Sequence, residues 1–128
     1  MFVYGPEIHW ERAIMLNGIF HVSFQSSLAT VGEGLAVFDA CGVHGANENH
    51  IFRGAQADNG GATILTVEIR HLHGEKYPTF GPLGAVNLEL TVSKDTGDGF
   101  RAEGSIREAK GIRLHVVGRK LGELVQAK

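Results

Sequence analysis

The chain has 128 residues, 12 Lys and Arg against 14 Asp and Glu, a formal net charge of −2 and 18 glycines, which suits one domain with its own core. That charge balance offers no basic face for nucleic acid or an anionic membrane. The single Cys41 forbids an internal disulfide and points to a reducing compartment. No run approaches the roughly 18 apolar residues of a spanning helix. The start, Met1 to Trp10, carries Glu7 and no basic, then apolar, pattern, so it does not read as a secretory leader and the expected location is the cytoplasm.

Strand periodicity then runs along the chain. Phe20, Val22 and Phe24 alternate with His21, Ser23 and Gln25, one apolar and one wet face of a strand. Gly32-Glu33-Gly34 has the glycines of a phosphate loop, but such a loop leads into a helix N-terminus and here a strand follows, so it reads as a turn or bulge. Leu35 and Val37 alternate with Ala36 and Phe38. Cys41 to Gly45 reads as a turn, with Cys41 a small buried residue at a strand end. The neighbouring Asp39 works against a lowered thiol pKa and hence against a nucleophile. A shorter run with weaker alternation spans His50 to Ala55, and Asn59-Gly60-Gly61 supplies a hairpin turn.

Thr63, Leu65, Val67 and Ile69 alternate with Ile64, Thr66, Glu68 and Arg70. Glu75 to Gly84 breaks the pattern, because Pro78 and Pro82 forbid a central strand. It is the longest loop, either a plain crossover or a lid with a short helical turn. Val86, Leu88, Leu90 and Val92 then alternate with Asn87, Glu89, Thr91 and Ser93, the clearest strand in the chain. After the turn Thr96 to Gly99 come Phe100, Ala102, Gly104 and Ile106, a turn at Glu108 to Gly111, and Ile112, Leu114 and Val116. Seven strands, with an eighth near either end, predict an all-β antiparallel up-and-down barrel, since closure removes exposed edges. A two-sheet sandwich is the competing arrangement.

Few residues suggest chemistry. His71 and His73, two apart on a strand, share a face and form a candidate metal pair near a barrel mouth, with His44 or His50 as further ligands; two solvated histidines at a strand end is the plainer reading. Glu68, Glu89 and Glu103 fall on wet faces. Arg113, Arg119 and Lys120 make a small basic cluster without interleaved aromatics, unlike a nucleic-acid surface. No catalytic residue and no cofactor is assigned, and an enzyme is not expected. The apolar interior is assigned to Phe20, Val22, Phe24, Leu65, Val67, Ile69, Val86, Leu88, Leu90 and Val92, filled by side chains or holding one small apolar ligand.

Met15-Leu16-Asn17-Gly18-Ile19-Phe20 with the strand to Phe24, Gly32-Glu33-Gly34-Leu35, the glycine-rich stretch to Phe52-Arg53-Gly54 and the strand Ile64 to His71 resemble the GrlR-type negative regulators of type III secretion genes. The resemblance fades after Tyr77, returns loosely in the last strands, and spans residues 15 to 118. It implies a lipocalin-like barrel, a homodimer, a transcriptional activator held inactive as partner, and an interior able to take a lipid-like molecule. That family carries an acidic run before its fourth strand that contacts the activator. The matching partner loop here is Asp58-Asn59-Gly60-Gly61, with Asp58 alone acidic, so that contact does not carry over. Residues 1 to 14 precede the similar region, as an upstream extension, non-native sequence or an extra edge strand; the barrel domain is assigned to 15 to 128. A regulator that restrains an activator is the expected function, and a carrier or sensor of an apolar ligand is the alternative.

Overall fold

The computed structural model describes residues 15–27, 31–77 and 82–125. The readings of residues 1–14, and of a helical turn where they touch 78–81, lie outside them. Eight strands follow one another: β1 Gly18–Ser26, β2 Val31–Asp39, β3 Gly42–Ala46, β4 His50–Asn59, β5 Ala62–His71, β6 Ala85–Asp95, β7 Gly99–Ile106 and β8 Ala109–Gly122. Each pairs antiparallel with the next, and β1 also pairs with β8, so the meander closes into an up-and-down barrel. Closure excludes the sandwich and leaves no free edge.

The clearest alternations carry the interior. Phe20, Val22, Phe24, Leu65, Val67, Ile69, Val86, Leu88 and Leu90 are buried in one core, with Phe38, Phe52, Phe100, Ile106, Leu114 and Val116. Val92 is a correction: it is only partly buried against that core, paired with Ala102 at the last regular position before a register shift between Val92 and Lys94 interrupts the β6–β7 ladder. In β2 the inward residues are Ala36 and Phe38, while Leu35 faces outward.

Four local readings also change. Cys41 is exposed, not buried: β2 ends at Asp39, and Ala40 turns the chain with φ 48°. Most of Cys41 to Gly45, expected as a turn, belongs to strand β3, which pairs with both β2 and β4. Its glycines and His44 leave no alternation to read. Gly32-Glu33-Gly34 lies inside β2, opposite Phe24, Ser23 and Val22. The last hairpin turns at residues 107–108, earlier than expected, with Ile106 facing Ala109.

The connections divide between two ends. The β2–β3, β4–β5 and β6–β7 turns crowd the first end, and the other four connections the second. Near the first end, Phe20, Phe38 and Phe100 meet edge-to-face, with centroids 5.3, 5.4 and 5.5 Å apart. Each such pair adds about 0.5–1.5 kcal/mol beyond burial. Buried Gln56 closes this end. Its Nε2 donates to the Leu16 carbonyl (2.7 Å) and the Ala40 carbonyl (3.0 Å), and its Oε1 accepts from the Leu16 N–H (2.9 Å).

Candidate functional site at the barrel mouth

The second end is the mouth, and an aromatic layer fills it. His50 opens β4 and pairs across the sheet with His71, the last residue of β5. The His50 side chain is 1% exposed. Its ring stacks on Tyr77 at 4.1 Å with 6° between planes, and lies 5.4 Å from the His71 ring. Tyr77 arrives from the β5–β6 connection and meets Phe24 edge-on at 5.3 Å; Phe24 in turn meets Phe52 at 6.2 Å. Burial, and then the neighbouring His71, lower the His50 pKa below 6.5, favouring a neutral ring. Burial raises the Tyr77 phenol above 10.0, the Asn47 hydrogen bond opposing and the Glu33 carboxylate adding to it.

Asn47 organises the layer. Its Nδ2 donates to Tyr77 Oη (2.6 Å) and to the Glu33 carbonyl (3.0 Å). Its Oδ1 accepts from the N–H groups of Asn49 (3.0 Å) and His50 (2.9 Å). Asn49 extends the clamp: its carbonyl accepts from the Leu72 N–H (2.8 Å) and its side chain donates to the Glu75 carbonyl (3.1 Å). The β3–β4 connection is thus tied to the segment that presents Tyr77.

The proposed histidine pair separates. His71 faces His50, and its Nε2–H donates to the Gly74 carbonyl at 2.8 Å. His73 lies past the strand end, exposed. Among the described residues no three His, Cys, Asp or Glu side chains gather as a metal site would require.

Behind the layer the interior is close to full. A cavity of about 50 Å³ is bordered only by apolar side chains, Phe24, Phe52, Leu65 and Leu90 among them. Small-ligand sites usually need about 300–1,000 Å³. Polar residues line the outside of the barrel. Glu68 pairs with Arg70 at 2.9 Å, and Glu103 approaches His115 at 3.6 Å. Arg113 and Arg119 are exposed on β8, roughly 20 Å apart at about 3.3 Å per residue, while Lys120 turns to Glu123 at 2.9 Å. The three do not form one patch. Asp58 and Asn59 are exposed where β4 ends; Asp58 Oδ1 accepts the Gly61 N–H at 3.0 Å, tying it to its own turn. With β3 counted, this turn precedes the fifth strand.

A second surface feature was hidden in the sequence. On the outer face of β2, β1 and β8, Leu35 is 51% exposed, Leu121 48% and Val117 36%. The register places Leu35 opposite His21, Ile19 opposite Val37, and Val117 opposite Ser23, so these residues form one interrupted apolar stripe. Only the strand pairing reveals it, because β2 and β8 lie far apart in the chain.

No family model matches the chain, and no curated protein matches it. Among solved structures it is similar to a redesigned beta barrel, with 15% identity, a TM-score of 0.46, and coverage of 83% of this chain and 91% of that one.

Proposed function

We propose that this chain is a non-enzymatic regulatory protein, a dimeric barrel that binds and restrains a transcriptional activator on its outer surface. The observation that carries the outward placement is the interior: about 50 Å³ of space leaves room for a few atoms, while Leu35 on β2 and Val117 and Leu121 on β8 stand exposed on either side of β1. With the half-buried Ile19 and Val37 these make an interrupted apolar stripe, and exposed apolar patches rimmed by polar residues mark interaction surfaces. The activator as partner follows from the GrlR-type resemblance. The docking site differs from that family's acidic loop, since Asp58 is the lone acid there.

The test is recovery from native lysate on the tagged full chain, beside a Leu35→Glu/Val117→Glu variant. Wild type is expected to retain a DNA-binding activator in stoichiometric amount, and the variant to release it with an unchanged melting temperature. Recovery of the chain alone, with no effect on transcription, contradicts the reading. The alternative, carriage of an apolar ligand, is favoured by the wholly apolar lining of the cavity, and requires the mouth to open.

A further inference from the structure

Two hollows lie on either side of the aromatic layer. The outer one, of about 420 Å³, is bordered by Glu33, Asn47, Asn49, His50 and Tyr77. The inner apolar cavity reaches Phe24 and Phe52. Tyr77 belongs to no strand; its ring neighbours and the Asn47 hydrogen bond hold it. Its slot exists because β2 has a glycine beneath it. A Cβ on Gly32 would lie 2.5 Å from Tyr77 Oη and 2.6 Å from the Phe24 ring.

We propose that Tyr77 is an acid-released plug: protonation of His50 drives the phenol ring from its slot and exposes the apolar interior behind it to solution. A charge on His50 is disfavoured where the ring is 1% exposed and favoured once water reaches it. Tyr77 is the ring stacked over it, so proton uptake and plug release are linked. Among the described residues the His71 ring from β5 and the Tyr77 phenol lie against His50, and Glu33 from β2 and Glu48 from the β3–β4 connection border the same outer hollow. Both carboxylates lie on the rim, with Glu33 paired to His21 at 2.8 Å, and Glu75 and His73 are exposed beyond it. Burial first, and then His71, hold the His50 ring toward its neutral form.

The plug is independent of the outer stripe, so failure of either proposal leaves the other standing. The test uses the full chain and Nile red, a neutral apolar dye, between about pH 7.5 and about pH 5, either side of the ordinary histidine value of roughly 6.5. Wild type is expected to gain dye fluorescence several-fold in acid while its far-ultraviolet sheet signal stays intact. Proton NMR should show the nuclear Overhauser effect between the Tyr77 and Phe24 rings at the higher pH and its disappearance in acid. His50→Phe, aromatic but without a titratable proton, should show no acid gain, and Tyr77→Ala should take dye at both pH values. The proposal is overturned if the Tyr77 ring stays against Phe24 in acid, if His50→Phe gains dye equally, or if dye uptake comes only with collapse of the sheet signal.

Discussion

Gln56 shows how a single buried side chain can hold one end of a barrel. Its amide meets three backbone groups, on Leu16 and Ala40, and an apolar replacement would leave them without partners. Gln56→Leu should therefore lower unfolding stability by about 2–3 kcal/mol in urea titration, the scale of unsatisfied buried polar groups. The same logic separates two neighbours in β6. Leu90 is 3% exposed, and Leu90→Asp should cost on the order of 4 kcal/mol or more, while the exposed Glu89→Ala should stay within about 0.5 kcal/mol. Equal thermal melts would contradict the register. At this scale the regular apolar positions were legible and the buried polar ones were not. His50 and Gln56 both occupy the inner face of β4, where apolar residues are expected. Their partners lie elsewhere in the chain: Leu16 is 40 positions from Gln56, and Tyr77 reaches His50 across a connection.

Among the elements, the turn of the β7–β8 hairpin is fastened to β6 through Asn87. Both oxygens of Glu108 accept from Asn87, from its backbone N–H at 2.8 Å and its side-chain amide at 2.7 Å, and the Arg107 N–H returns a bond to the Asn87 carbonyl at 2.7 Å. Burial pushes the Glu108 carboxyl up, but the Asn87 donors and Arg107 more than offset it, and its pKa lies below 4.5. A depressed carboxyl pKa contributes stability above its unfolded value that is lost as pH falls through the folded one. The melting temperature should thus fall on acidification below about pH 4.5 in wild type, and by less in Glu108→Gln. This clasp explains why the turn sits at residues 107–108: turn chemistry allowed the later glycine, and the contact with β6 selected the earlier position. Strand β3 was illegible for a related reason. Gly42, His44 and Gly45 give no alternation, and pairing on both sides makes the strand. In β2, Gly32 and Gly34 resembled a turn because glycine is the usual turn residue. Here they clear space for the Phe24, Tyr77 and Phe52 rings.

For the whole molecule, seven of the eight strands were readable from alternation and glycine placement, while closure depended on β1 meeting β8, which no local pattern encodes. The interior also sets a pH dependence. His50 has a lowered pKa, so the unfolded chain binds the proton more readily. Stability should be full above about pH 6.5 and decline as pH falls through that value toward the lowered one; urea titrations at several pH values read this directly, and His50→Phe should flatten it. At the opposite extreme Tyr77 has a raised pKa, and its contribution should hold below about pH 10 and fade as pH rises through the raised value. The mouth thus responds to both acid and base, while the Phe20–Phe38–Phe100 end has no such titrating group in its ring cluster.

Amide hydrogen exchange along the β1–β8 seam tests the closed barrel most directly, because every placement of interior, mouth and outer stripe depends on that seam. Residues in register there, from Phe20 opposite Lys120 to Ser26 opposite Leu114, should be protected as strongly as those of the β4–β5 pair. Fast exchange along β1 and β8, with protection kept elsewhere, would mean an open sheet with two free edges and would contradict the barrel.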